Sequence, residues 1–157
     1  MGRDGYSTVL SPGNSPHAIT VGAMKTLETY PRSDDLIASY SSKGPTYIDM
    51  TVKPDVVAPG NLVVSLLAPG STLATEFPEN IVGPSYYSPS SSGTPQYMQL
   101  SGTSMATPVV SGTIALMLQK DPSLTPDAVK ARLMKTATKT FPVSSVATDP
   151  TDRKSVV

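Results

Sequence analysis

The chain has no cysteine, no tryptophan, two phenylalanines and one histidine among its 157 residues. Without cysteine there is no disulfide framework, no thiolate metal site and no cysteine nucleophile. The lack of disulfides leaves the compartment open, because a secreted protein need not contain them. Charge is scarce as well: charged residues make up 15%, twelve Lys and Arg balance twelve Asp and Glu, and the formal net charge is zero. That balance excludes nucleic-acid binding by bulk basicity, an acidic tail and a polybasic membrane segment. No stretch approaches the roughly 18 apolar residues of a membrane span. Met1-Gly2-Arg3-Asp4-Gly5 lacks the charged and apolar regions of a signal peptide, and Tyr6 stands where a myristoylation signal requires Ser or Thr.

Proline is abundant instead. Its 16 residues are roughly twice the usual share of about 5%, and Ser with Thr reach about a quarter of the chain. Loops should therefore be many and helices few. Residues 1–16 read as a loop, and His17 to Met24 as a short buried strand. A polar connector over 25–35 leads to a second short strand, Leu36 to Ser41, closed by Ser42-Lys43-Gly44-Pro45. Val56-Val57-Ala58 ends at Pro59-Gly60, and Leu62 to Ala68 is the strongest strand signal. Residues 69–95 form a long Pro/Ser-rich loop, after which Tyr97 to Leu100 returns as the second strand of a hairpin.

Two helices follow. Thr103 to Lys120 is apolar nearly all round and contains Ala106, Ser111, Gly112 and Ala115, so it reads as a buried central helix that stops before Pro122. In the next, Thr125 is placed as N-cap, Pro126 at the first helical position and Asp127 in the first turn. Val129, Leu133 and Ala137 form its inward face, while Lys130, Arg132 and Lys135 face out. Residues 139–157 show no periodicity and read as a coil tail. There is no internal repeat, and the whole of 1–157 reads as one domain.

The chemistry-bearing stretch is Ser101-Gly102-Thr103-Ser104-Met105-Ala106-Thr107-Pro108. It sets a serine in the first turn of a buried helix, directly after a glycine turn. Amides and partial positive charge at a helix N-terminus suit an anion forming there. A hydroxyl in that place can act as a nucleophile whose own N–H stabilises a tetrahedral oxyanion; alternatively, Thr103 or Ser104 simply caps the helix. Met98, Met105 and Met117 read as core fillers. Tyr86, Tyr87 and Tyr97 read as a packed loop, with a substrate-facing surface as the alternative. There is no glycine-rich phosphate loop, no His/Asp metal cluster and no basic–aromatic stripe.

Ser101 to Pro108, running into Val109-Val110-Ser111-Gly112-Thr113-Ile114-Ala115, resembles the active-site serine motif of the subtilisin-like serine proteases. Three further blocks occur in that family's order: Ile19-Thr20-Val21-Gly22-Ala23, Ala38-Ser39-Tyr40-Ser41-Ser42-Lys43-Gly44-Pro45, and Lys53-Pro54-Asp55-Val56-Val57-Ala58-Pro59-Gly60. Leu124-Thr125-Pro126-Asp127 with Val129-Lys130 is similar to the helix after the serine helix. The resemblance covers about residues 11–140. It implies an α/β fold: a truncated three-layer subtilisin-like arrangement with a partial parallel sheet, a β-hairpin and the central serine helix. It also implies a serine endopeptidase by descent, acting on a peptide or ester substrate, with Ser104 as nucleophile and its backbone N–H as an oxyanion donor.

The family's catalytic Asp and His lie in an N-terminal half whose motifs do not occur here. Its oxyanion Asn falls just ahead of the region matching Met1-Gly2, so Asn14 does not inherit that role. The resemblance thus implies the C-terminal half of a subtilase, with a second truncation after Asp152-Arg153-Lys154-Ser155-Val156-Val157. Little or no proteolysis is expected from the chain alone, with the missing half as its complementing partner. His17, the single histidine, is the one candidate base within the chain, and a weak esterase pairing it with Ser104 is the alternative function, a non-catalytic binding module another. Asp34, Asp35, Asp49 and Asp55 are candidate orienting acids, with Asp55 also read as tying the turn before Val56. No cofactor is expected; relatives bind calcium, but no ligand set carries over. Relatives are both secreted and cytoplasmic. Removal of a neighbouring strand is expected to leave Ile19 to Ala23 with an open edge and the serine helix uncovered, giving a homo-oligomer, strand-swapped, that buries Ile19, Val21 and that helix between chains.

Overall fold

A computed structural model describes residues 6–88 and 93–139. The chain groups into two compact units: Met1–Asn61 with Gly102–Val157, and Leu62–Ser101.

The first unit is a small α/β layer. Strand β1 (Val21–Lys25) pairs parallel with β3 (Val56–Pro59), Val21 opposite Val56 and Met24 opposite Pro59. The short β2 (Leu36–Ile37) runs antiparallel to β1 at Met24 and Lys25, giving the order β2-β1-β3. Beyond β2, the Ala38 N–H still donates to the Ala23 carbonyl (3.0 Å), and the Ala23 N–H donates to Ser41 Oγ (3.0 Å). The strand expected to have an open edge is thus central in this order: β3 pairs along one side from Val21 to Met24, and on the other side β2 with the Ala38 and Ser41 contacts reaches Ala23, Met24 and Lys25. Two boundaries also move. β1 begins at Val21, because His17 lies in a turn and Thr20 is engaged by the Asp55 carboxylate; β2 ends at Ile37, where the chain turns so that Ser41 can reach back.

Helix α2 (Thr103–Lys120) has the bounds its sequence predicts. It packs on β1 and β3 through a core of small side chains, Ala23, Ala38, Ala58, Ala106 and Val110, with Ile19, Val56 and Ile114 against it. Alanines on both layers let helix and sheet approach closely. Gly60 marks the tightest point. A Cβ there would stand 2.8 Å from the Ala23 Cβ and 3.0 Å from the Ala106 Cβ. The Gly102 N–H donates to the Gly60 carbonyl (2.7 Å), so the residue after β3 fixes the residue before α2.

The helix is not buried all round. Ala106 and Val110 are enclosed, whereas Val109, Leu116 and Leu118 are exposed, Leu116 by 67%. Its outer hydroxyls turn inward to their own backbone: Thr107 donates to the Thr103 carbonyl, Ser111 to Thr107 and Thr113 to Val109. With no charged side chain before Lys120, that face presents small and apolar groups to water.

Helix α3 (Pro126–Thr136) starts as read, with Thr125 Oγ1 accepting from the Ala128 N–H (3.3 Å). Thr125→Ala should cost about 1 kcal/mol of stability, measurable by chemical denaturation. Val129 is buried and Leu133 packs on the core, but Ala137 is exposed just past the helix end. Lys130, expected to face out, reaches inward instead.

Its ammonium is 3.1 Å from Asp55 Oδ1 and donates to the carbonyls of Pro16 (2.6 Å) and Ala18 (2.8 Å). Lys53 Nζ donates to Asp55 Oδ2 (2.8 Å) and to the same Ala18 carbonyl (3.1 Å), and the Thr20 N–H donates to Asp55 Oδ2 (2.8 Å). The Lys53 side chain is 0% exposed and that of Asp55 6%. Burial by itself would raise the Asp55 pKa. Hydrogen bonds from Lys53, Thr20 and Lys130, with the Lys53 charge, outweigh it and hold the carboxyl below the ordinary carboxylate value. Asp55 therefore does more than tie a local turn: it clamps β3 and α3 onto the segment entering β1.

The second unit is an antiparallel sheet of order β4-β6-β5: β4 (Val63–Leu66), β6 (Tyr97–Leu100) and β5 (Ile81–Val82). The expected hairpin is the β4–β6 pair, with Val63 opposite Leu100 and Leu66 opposite Tyr97. The segment read as one long loop has local order, including a helical turn α1 (Thr72–Glu76) and strand β5 itself. Met98 is buried, and Tyr87 and Tyr97 meet edge to face at 4.8 Å, whereas Tyr86 is exposed. Apart from Lys139, the coil expected over 139–157 lies outside the described residues.

Candidate active site

Parallel strands β1 and β3 both point their C-terminal ends at the start of α2, through the Gly60–Gly102 hydrogen bond. In α/β sheets that end is where ligands are bound. The N-cap of α2 is Gly102, with no side-chain cap. Neither Thr103 nor Ser104 is used for capping. Ser104 occupies the second helical position, exposed, and its hydroxyl has no hydrogen-bond partner among the described residues. The Thr103 and Ser104 amides belong to the first turn, where no carbonyl lies one turn back to receive them. An uncommitted hydroxyl thus stands beside uncommitted amides at the positive end of an 18-residue helix. A carbonyl attacked by such an oxygen would develop its negative charge next to those donors.

His17 is elsewhere. It lies exposed in a turn ahead of β1, its N–H donating to Ser15 Oγ (3.3 Å). Lys130 holds the carbonyls on either side of it, Pro16 and Ala18. His17 is therefore at the N-terminal end of the strand whose C-terminal end faces α2. At about 3.3 Å per residue, β1 alone puts about 13 Å between those ends. The structure does not bring His17 and Ser104 together.

The candidate acids are likewise dispersed. Asp34 accepts from Thr29 Oγ1 (2.9 and 2.8 Å), Asp49 from Thr46 and Thr51 hydroxyls within one tight loop, and Asp55 is held by its two lysines. Asp35 is buried beside β2. Asn14 is exposed in a turn, its N–H donating to the Leu10 carbonyl (3.2 Å). Sequence reasoning missed Lys53 and Lys130; the signal available was a lysine two residues before Asp55, with Pro54 fixing the chain between them. Among the described residues no group of three or more His, Asp or Glu side chains could hold a metal ion, and no helix is long and apolar enough to cross a membrane. A cavity of about 520 Å³ lies between β3 and the end of α3, lined by Arg32, Pro54, Val57, Met134 and Lys139 among others, and does not include Ser104.

Known proteins supply the comparison. The Subtilase family profile matches residues 1–153. The Serine protease AprX of Bacillus subtilis is 44% identical over 131 residues, which cover 83% of this chain and 27% of AprX. A subtilisin-like protease of Arabidopsis thaliana is 31% identical over 88% of this chain and 18% of its own length. Among solved structures, a cold-adapted subtilisin-like serine proteinase superposes with a TM-score of 0.56 at 26% identity, covering 92% of this chain and 39% of that one. The CspB protease of Clostridium perfringens gives 0.59 at 26% identity, over 87% and 24% respectively. The chain spans 27% and 18% of the two curated relatives named here, and over the part it spans it has the α/β fold of the solved subtilisin-like structures.

Proposed function

Because the chain belongs to the subtilase family, we propose that it holds the nucleophile-bearing portion of a serine endopeptidase site, with Ser104 attacking the substrate carbonyl. The observation that carries this reading is the free Ser104 hydroxyl in the uncapped first turn of α2. Attack would bond Oγ to the carbonyl carbon and push the electron pair onto the carbonyl oxygen, next to the Ser104 N–H. The proton leaving Oγ needs a base. His17 is held at the far end of β1, so we assign base and orienting acid to polypeptide outside residues 1–157. The exposed, charge-free face of α2 supports the same assignment, being suited to cover by a further layer.

Removing one member of such a triad costs up to about 10⁶ in turnover, a figure measured on a member of this family. Hydrolysis of peptide amides by the chain alone should therefore stay near background. A fluorophosphonate probe, which demands less of the base, should label the chain slowly and only at Ser104. Ser104→Ala should abolish labelling with a stability change within about 0.5 kcal/mol, since the hydroxyl holds nothing. His17→Ala should label like the parent. Labelling that survives Ser104→Ala would overturn the nucleophile assignment. Peptide cleavage by the chain alone that Ser104→Ala destroys would overturn the external base.

A further inference from the structure

We propose that the free edge of β4 is a self-association surface, on which a second copy of this chain adds its own β4 antiparallel about a two-fold axis through Ser65. Val63 and Ser65 lie opposite Leu100 and Met98, and the Leu67 N–H donates to the Gln96 carbonyl (2.8 Å). Backbone groups alternate along an antiparallel ladder, so Val63, Ser65 and Leu67 face β6 while Val64 and Leu66 face away. Their N–H and C=O groups have no partner among the described residues. The same two side chains are exposed, Val64 by 50% and Leu66 by 77%.

This edge lacks the devices that usually guard one. From Val56 through Thr75 there is no charged residue, and there is no proline within 60–68. A copy of the strand is also its own complement. With Ser65 opposite the partner's Ser65, Val64 stands opposite the partner's Leu66, and the reverse holds across the axis. Both outward-facing residues then form hydrogen-bonded pairs, giving four backbone bonds and two Val–Leu contacts on one face. Nothing charged meets across the axis to oppose it. The result joins two three-stranded sheets into one of six. Buried area is small beside a standard interface of roughly 1,600 Å², so the dimer is a weak one. This places self-association away from β1 and α2.

Sedimentation velocity over a concentration series tests it, with the cysteine-free chain allowing a clean crosslink. The parent should rise towards twice the monomer mass in the high-micromolar range. Val64→Pro removes only an outward N–H, and Leu66→Lys adds charge at the axis; both should stay monomeric with unchanged circular dichroism. Ser65→Cys should form an interchain disulfide under mild oxidation, since facing residues of a non-hydrogen-bonded pair lie about 4.5 Å apart at Cα. Thr75→Cys, exposed but off the axis, should not. A parent that stays monomeric throughout, a dimer that persists in both edge variants, or equal crosslinking by the two cysteines would overturn the proposal. So would a monomer that binds an unrelated extended apolar peptide at this edge in place of a second copy.

Discussion

Asp55→Ala should be the most damaging single substitution in the first unit, costing about 3–5 kcal/mol. The change strands two ammonium groups at once. Lys53, with a side chain fully enclosed, keeps only the Ala18 carbonyl, and Lys130 keeps only Pro16 and Ala18. The Thr20 amide loses its acceptor as well. An uncompensated buried charge costs far more than its pair was worth, which is why removing the acid exceeds the effect of a surface pair. Asp55→Asn tests the charge separately, because it keeps an acceptor for Thr20 and should be less severe. Acid acts on the same group. The folded pKa is depressed below the ordinary carboxylate value, so the stabilisation is complete above the unfolded value and is lost as pH falls through the folded one. Urea midpoints of the parent should thus fall steeply below about pH 4, and those of Asp55→Asn should fall less over that window. Identical acid dependence in the two would refute this account.

Gly60→Ala should strike fold and site together. The added Cβ would lie 2.8 Å from the Ala23 Cβ, 2.8 Å from the Gly102 carbonyl oxygen and 3.0 Å from the Ala106 Cβ. All three are backbone or rigid alanine atoms, so none can swing away. Relief requires moving the start of α2 off the sheet, at a cost of about 1–3 kcal/mol. Since Ser104 sits in that first turn, fluorophosphonate labelling should slow well beyond what the stability loss explains. Labelling at the parent rate in a destabilised Gly60→Ala would separate the glycine from the site.

The parts of the fold legible in the sequence were those settled by near neighbours. Gly102 before the helix, Pro122 after it, and Thr125-Pro126 at the next start each act within one turn, and both helices fall where those residues put them. Strand ends depended on distant chain. Thr20 has β-propensity but answers to Asp55, 35 residues on, and Lys130 looks like a solvated helix lysine until its carbonyl partners are known. The uncovered side of α2 agrees with the reading drawn from the resemblance, whereas the apolar circumference by itself indicates a helix enclosed all round: it records what a helix is suited to pack against, not what lies beside it. Ser104 is legible as a motif, whereas its freedom from capping is a property of the folded chain, in which Gly102 takes the N-cap.

The Gly60–Gly102 hydrogen bond has a topological meaning. It joins two residues that flank Leu62–Ser101 in sequence, Gly60 and Gly102 of the first unit, and so closes the backbone of that unit across a neck. Closing a loop costs entropy that grows only logarithmically with its length, about 0.6 kcal/mol for each doubling. Lengthening or shortening the excursion therefore changes little for the strands and helix that close the neck, provided the two glycines still meet. Such a chain can vary in size between its Pro-Gly and its Gly-Thr-Ser while the geometry around the serine stays constant.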